Sequence, residues 1–319
     1  MHAKQIWKVF KQSFPEFNNQ NVLKKSAALA YYTVFALAPM LIVMLTIAET
    51  FYGRKAIEGS MYGQIAGFVG HSAAVQIQEL IKNAAISGNT FMASVISIVT
   101  LILTATGVFT EIQDSINSIW HLKAKPTKGI LKIILNRLIS FSLIVGLGFI
   151  LMVSLVINAL IEAFGEVLKR IFPDITVYII YGINLLLTLG IITVLFAIIF
   201  KVLPDAIIRW KDVWMGAFIT GLLFIVGKFA IALYLGKSNV TSSYGAAGSI
   251  IVILLWVYYS SIILYFGAIF TRIYAQANGC NIRPNDYAVF IQQVEVENRK
   301  PLQEQPDTKA VVKEIKKED

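Results

Sequence analysis

Two long apolar runs joined by a short polar link constrain this chain more than any other feature. The runs extend from Trp214 to Leu235 and from Gly245 to Tyr274, and residues 236–244 separate them. A helix of about 20 apolar residues crosses the hydrocarbon layer of a bilayer, which is about 30 Å thick. Because so short a link only allows the chain to turn back, the pattern predicts a hairpin of two transmembrane helices.

The composition extends this interpretation to the whole chain. Hydrophobic residues make up 56% of the 319 residues and charged residues 15%, whereas a soluble domain carries about 25% charged residues. Most of the surface must therefore face lipid, and we expect an all-α polytopic membrane protein with six transmembrane helices. The predicted spans are Ser26–Ala48, Thr90–Thr110, Ile133–Ile161, Val177–Phe200 and the two helices of the hairpin.

The segments outside these spans predict the remaining organisation. Residues 1–25 form a basic amphipathic N-terminus, in which Trp7 and Phe10 belong to an apolar stripe at helical spacing until Pro15 interrupts it. Such a helix either lies on the membrane surface or caps the bundle. Residues 26–275 form the transmembrane domain, with an interfacial segment at about 50–89. Residues 276–319 form a polar tail that we expect to be partly disordered.

The distribution of basic residues predicts the orientation. The net charge is +9, and on the predicted topology nineteen Lys and Arg residues lie on the side of both termini against six on the other side. The positive-inside rule therefore predicts cytoplasmic termini and a multi-pass membrane protein. The same charge predicts membrane lipids with anionic headgroups as partners, and not nucleic acid. The sequence indicates no cofactor and leaves a homo-oligomer open.

Polar side chains at membrane depth form a candidate substrate pathway, because such groups are costly in lipid and usually face the interior of a bundle. Two stripes at helical spacing, one on the fourth and one on the sixth predicted span, either line a polar path or hydrogen-bond one helix to another. A lysine in the fifth span either belongs to the path or extends to the headgroups. The candidate residues are Asn184, Thr188, Lys228, Tyr258, Ser261 and Tyr265.

Small residues dominate the turn of the hairpin and the helices beside it. They favour close packing of backbones, and on the fifth span Gly216 and Thr220 repeat the four-residue spacing. The same turn also suits a helix start whose free N–H groups face an anionic headgroup. In the first span, Pro39 removes one backbone donor and predicts a kink. The residues of this predicted corner are Ser243, Tyr244, Gly245, Gly248 and Ser249.

Charged residues at the ends of two spans predict a cytoplasmic mouth. Glu111 and Arg272 each follow Phe-Thr where a span ends, so we expect them to lie at similar depth and to pair as a latch. Asp114 lies on the same helical face as Glu111, and a solvated helix end explains these two acids better than a metal site. We therefore predict neither a metal site nor a catalytic residue.

Several motifs resemble the YihY/BrkB family of bacterial inner-membrane proteins, which long carried a ribonuclease BN label. The resemblance covers about Val22 to Ala275 and implies a six-helix membrane fold more strongly than any activity. One departure is Gly267-Ala268-Ile269, where relatives often have Gly-Ala-Glu. The motifs are Ala28–Pro39, Gly107–Trp120, Leu203-Pro204, Trp210–Asp212, Gly216-Ala217, Ser243–Ser249 and Leu255–Ser260.

Three classes of function follow from these features. The first is a transporter or lipid-handling protein that moves an anionic lipid or a small ion without covalent chemistry. The second is a membrane scaffold or interaction protein that uses the basic cytoplasmic faces. The third is a membrane-bound ribonuclease, which would need clustered metal ligands or an acid–base pair. The predicted topology separates His71 from His2 and His121, the only other histidines. We therefore do not expect an enzyme.

Overall fold

A computed structural model describes residues 3–52, 75, 91–125, 173–237, 248–280, 282–286 and 288–291. The described part of the chain is mostly helical, with four short strands. The predicted interfacial segment (apart from residues 50–52 and Val75), the third predicted span and the tail beyond residue 291 lie outside it. The helices are α1 (Ala3–Asn19), α2 (Val22–Tyr52), α3 (Phe91–Ile119), α4 (Pro173–Val202), α5 (Trp210–Lys237) and α6 (Gly248–Ala277); the strands are β1 (Leu122–Ala124), β2 (Ala206–Ile207), β3 (Arg283–Pro284) and β4 (Ala288–Phe290).

Three of the described helices contain segments long and apolar enough to cross a membrane. These segments are Gly182–Val202 in α4, Trp210–Tyr234 in α5 and Ile250–Ala277 in α6. Helices suit such sequences because every backbone polar group inside the helix is satisfied within the segment. The helices α2 and α3, at 31 and 29 residues, have comparable length. The two helices of the predicted hairpin are therefore confirmed as helices.

The helix α6 lies in the middle of the described bundle. It packs against α5 on one side and against α2 on the other, while α5 also packs against α4, and α2 against α3. A buried apolar cluster joins these helices near one end, and its members include Trp120, Phe200, Val213 and Ile269. We call this end, where α3, α4 and α6 finish and α5 begins, the basal end.

Glycines and threonines let α5 and α6 approach closely. A Cβ atom on Gly216 would lie 1.9 Å from Thr271 Oγ1, and one on Gly267 would lie 2.1 Å from Thr220 Oγ1. Each threonine hydroxyl donates to the glycine carbonyl one turn earlier in its own helix, both at 2.7 Å. Each helix thus supplies one glycine gap and one threonine that fills the gap of its partner, as the predicted close packing requires.

The N-terminal helix α1 packs along the end of α6 rather than standing apart from the bundle. The rings of Phe10, Phe14 and Phe17 surround Phe266, with centroid distances of 5.5, 5.4 and 6.4 Å. This favours the bundle-capping alternative for the N-terminus. The expected interruption at Pro15 is wrong, because α1 continues through it to Asn19; an exposed proline there removes one backbone donor without displacing the packed phenylalanines.

Short strands fold the start of the predicted tail back onto the basal end. The strand β4 pairs antiparallel with β1, and β3 pairs antiparallel with β2. The first part of the tail, up to residue 291, is therefore attached to the basal end, and the expected partial disorder of the tail stays a prediction. Backbone hydrogen bonds to loops distant in sequence hold it, and helical periodicity gives no signal for such pairing.

Candidate functional site: a basal polar network and a groove between α4 and α5

Asp205 is the first centre of a polar network at the basal end. Asn117 at the end of α3 donates from Nδ2 to Asp205 Oδ2 at 3.0 Å, and accepts from the Asp205 backbone N–H at 2.8 Å. Asn285 in the tail donates from Nδ2 to Asp205 Oδ1 at 3.2 Å and from its backbone N–H to the Asp205 carbonyl at 3.0 Å. One buried aspartate therefore ties α3 and the tail to the loop between α4 and α5.

Asp212 in the first turn of α5 is the second centre. Its Oδ2 accepts from Arg209 Nε at 2.8 Å, and its Oδ1 accepts from Asn278 Nδ2 at 3.3 Å. Arg209 in turn donates from Nη2 to the Asn278 carbonyl at 3.2 Å. A carboxylate in this position also suits the positive end of the α5 dipole. These contacts join the start of α5 to the chain just after α6.

Arg272 is the third centre, and it is only 5% exposed. Its Nη2 makes an ion pair with Glu16 of α1, and its Nη1 contacts Nε2 of His121. The predicted pairing of Arg272 with Glu111 is therefore wrong. Packing of α1 along α6 brings Glu16 to the guanidinium, whereas Glu111 accepts a hydrogen bond from Ser115 of its own helix at 3.0 Å.

The charges around Arg272 shift two neighbouring pKa values. Burial alone would raise the pKa of the Glu16 carboxyl, but the hydrogen bond and charge of Arg272 outweigh it, so that pKa lies below its ordinary value. Burial lowers the pKa of His121, and the charge of Arg272 lowers it further. At neutral pH the site therefore pairs a carboxylate and a guanidinium beside a neutral imidazole.

Trp120 anchors α3 to α6 next to this arginine. The indole is 2% exposed and donates from Nε1 to the carbonyl of Ala268 at 3.0 Å. The next residue, His121, has a φ of 59°, a left-handed conformation that non-glycine residues adopt rarely. This turn directs the imidazole toward Arg272 and leads the chain into β1.

A groove of about 660 Å³ runs along the outer surface between α4 and α5. Its walls are mostly apolar, and Lys211, at the start of α5, is its one charged lining residue among the described residues. A Cβ atom on Gly190 would meet nothing within 4 Å, so the floor of the groove is open there. The lining residues are Leu186, Leu189, Gly190, Thr193, Val194, Lys211, Trp214, Met215 and Phe218.

The structure places the predicted pathway residues on three helices, α4, α5 and α6, and their role as a substrate pathway stays a prediction. Asn184 is exposed and Thr188 half-buried on α4, which packs against α5. On α6, Ser261 is buried but donates to Val257 of its own helix at 2.7 Å. The hydroxyl of Tyr265 is buried near Ser115 of α3 without reaching hydrogen-bond geometry.

The other predicted positions are distributed over the fold. Lys228 and Tyr258 are half-buried on α5 and α6, and Asp114 is exposed on α3. The helix α2 continues through Pro39 to Tyr52. From the predicted corner, Gly248 begins α6 and Ser249 follows it, whereas residues 243–245 lie outside the described residues.

Sequence reasoning missed the residues that build the basal network. The motifs Gly107–Trp120 and Trp210–Asp212 contain Asn117, Trp120 and Asp212 without assigning them a role, and Asp205 directly follows the motif Leu203-Pro204. Each is a polar or amphipathic residue directly beside an apolar run. A polar side chain buried at such a position needs a hydrogen-bond partner, and this requirement is the signal that identifies these residues. Glu16, the single acid of the basic N-terminus, carried the same signal.

The fold and these features define a multi-pass α-helical protein of the bacterial inner membrane. The sequence profile of the family described as Virulence factor BrkB matches residues 13–287, and the chain belongs to this family. The match includes every centre of the basal network.

Relatives named UPF0761 membrane protein are similar over most of the chain. The relative from Verminephrobacter eiseniae is 25% identical over 83% of this chain and 62% of its own length, so the chain spans less than two thirds of that relative. The relative from Aggregatibacter aphrophilus is 26% identical over 85% of this chain and 93% of its own length. The relative from Alteromonas mediterranea is 23% identical, with 84% and 88% covered. No solved structure matches the chain.

Proposed function

We propose that the protein handles lipid, binding an anionic phospholipid in the α4–α5 groove and moving it without covalent chemistry. The groove is the single observation that carries this proposal. Its apolar walls suit an acyl chain, and Lys211 and Trp214 lie at the start of α5, where a cation and an aromatic ring suit a headgroup. The proposal includes six spans and two cytoplasmic termini, which makes the basal end the cytoplasmic end.

Lipid, rather than a small ion, suits this geometry for two reasons. The groove opens along the side of the bundle, where acyl chains reach it directly, and its α4 wall from Leu186 to Val194 extends for about 12 Å. A small ion would need several polar ligands, whereas Thr193 and Lys211 are the main polar residues among the described lining. The substrate class that fits is therefore an anionic lipid with its chain beside α4.

The test fills the groove without disturbing the helices. Gly190→Trp places a ring in the open floor, and Gly182→Trp is the matched control, because a Cβ on Gly182 also meets nothing within 4 Å but the residue does not line the groove. The assay measures transbilayer movement of labelled phosphatidylglycerol in vesicles. We expect movement with wild type and Gly182→Trp, and loss of most of it with Gly190→Trp.

The charge of Lys211 gives a second readout in the same vesicles. A lysine near anionic headgroups contributes about 1 kcal/mol, which corresponds to about a fivefold preference. Lys211→Gln is therefore expected to reduce the preference for phosphatidylglycerol over phosphatidylcholine by about that factor. If wild type moves neither lipid faster than protein-free vesicles, the lipid-moving function is wrong and the interaction class takes its place.

A further inference from the structure

A second cavity lies at the basal end, away from the α4–α5 groove. It has a volume of about 340 Å³, and its walls come from α6 and from the returning tail. Two arginines line it, Arg272 on α6 and Arg283 on β3, together with Gln276. Trp120, Ile282 and Phe290 supply the apolar part of the wall.

The two arginines retain donors that no described residue uses. Arg272 contacts Glu16 and His121 through its Nη atoms, and its buried Nε has no hydrogen-bond partner among the described residues. A buried donor of this kind is costly unless something accepts from it. Within the described part of the chain, no group pairs with the Arg283 guanidinium. Two guanidinium groups therefore line the cavity, and one carboxylate, that of Glu16, pairs with one of them, so positive charge is in excess.

The position of the cavity and the geometry of its arginines favour a phosphate group over other anions. Arg272 lies five residues before the end of α6, which corresponds to about 7–8 Å along the helix axis. On the six-span topology proposed above, this distance places Arg272 near the border of the hydrocarbon layer, where lipid phosphates lie. A tetrahedral phosphate offers oxygens to two guanidinium forks at once, and arginine is the residue best suited to that geometry.

We propose that this cavity binds a phosphate ester, with the phosphate between Arg272 and Arg283 and the esterified carbon skeleton against Trp120, Ile282 and Phe290. The ester is either the headgroup of a bilayer lipid or a free phosphorylated metabolite, since both present the same chemistry. Because one arginine belongs to α6 and the other to β3, the bound phosphate fastens the tail to the bundle. This site does not depend on the α4–α5 groove.

The test measures the thermal unfolding of the full-length protein in uncharged detergent by tryptophan fluorescence. One arm titrates glycerol 3-phosphate at constant ionic strength, and the other compares nanodiscs of phosphatidylglycerol with nanodiscs of phosphatidylcholine. A ligand that binds only the folded state raises the melting temperature. A response to glycerol 3-phosphate identifies a site open to free esters. A response to phosphatidylglycerol alone identifies a headgroup site in this cavity, rather than in the α4–α5 groove, when Arg283→Gln weakens it.

Arg283→Gln is the decisive variant, because Arg283 is exposed and its loss leaves the buried network intact. Lys123→Gln is the matched control, since it removes one exposed cation from the neighbouring strand β1 and does not line the cavity. We expect Arg283→Gln to weaken the response about tenfold or more, and Lys123→Gln to respond as wild type does. Failure of wild type to respond in both arms, or an equal response in Arg283→Gln, overturns the proposal.

Discussion

The α5–α6 contact and the basal network hold the same bundle by opposite means. At Gly216 and Gly267 the helices meet because side-chain atoms are missing, and each gap receives a threonine from the partner helix. At Asp205 and Asp212 the elements meet because side-chain atoms are present and fully hydrogen-bonded. The first contact fails when atoms are added and the second when atoms are removed. This difference follows from the solvent, since lipid gives apolar surfaces no hydrophobic reason to associate.

The largest effect is expected from filling a glycine gap. Gly216→Leu places its side chain where Thr271 already lies, so α5 and α6 must separate. Overpacking of this kind costs about 3 kcal/mol or more. The measurement is the free energy of unfolding in mixed detergent, with Gly190→Leu as the control, because its Cβ has open space. Equal stability of the two variants would contradict the close contact.

Removing a network centre is expected to have the next largest effect. Asp205→Ala leaves the buried Asn117 amide and the half-buried Asn285 amide without their common acceptor, at a cost of about 2 kcal/mol. The control is Asp286→Ala, an exposed acid in the same tail segment. Limited proteolysis of the tail measures its release together with the change in unfolding temperature. A tail that stays protected in Asp205→Ala would show that the strand pairs alone hold it.

Acidification tests the third centre and is expected to have the smallest effect. The folded state lowers the pKa of His121 below its ordinary value of 6.5, so its stabilising contribution is present above pH 6.5 and is lost as the pH falls through the folded pKa. Glu16 follows the same sign at lower pH, because its pKa is also lowered. The unfolding temperature should therefore be flat above pH 7 and fall below pH 6.5.

His121→Asn is the matched variant for this measurement. Asparagine tolerates the left-handed φ of 59° at this position but does not titrate. We expect the step that begins at pH 6.5 to flatten in this variant while the decline at lower pH, which belongs to Glu16, remains. An unchanged step would assign the pH dependence to another group.

Periodicity and length predicted the helices, because crossing a bilayer leaves the chain few alternatives. Gly216 with Thr220 was likewise recognisable, since four-residue spacing of small residues has one common structural use. The partners of single charges were not predictable. Glu111 and Arg272 both follow Phe-Thr at the end of a predicted span. Arg272 nevertheless forms its ion pair with Glu16, because α1 packs along α6. The partner of a charged side chain depends on which helix packs beside it, and hydropathy contains no information on helix neighbours.

The strands of the basal end could not be predicted for a different reason. Only two or three residues pair on each side, as with Leu122–Ala124 and Ala288–Phe290. Segments this short show neither alternation nor turn signals that separate them from loops. Their apolar members, such as the buried Ala288, are also too few to mark a core.

The strand β1 is synthesised well before β4, the strand with which it pairs. A ribosome adds about 5–20 residues each second, so roughly 160 residues between the two strands take about 10–30 s to appear. Throughout that interval β1 lacks its partner strand, and an unpaired strand edge is open to wrong partners. We expect trypsin to cut after Lys123 in chains arrested before Ala288 and to spare that bond in the finished protein. Among the described strands, β4 is the last to leave the ribosome, so it would complete the basal end after the described helices have been synthesised.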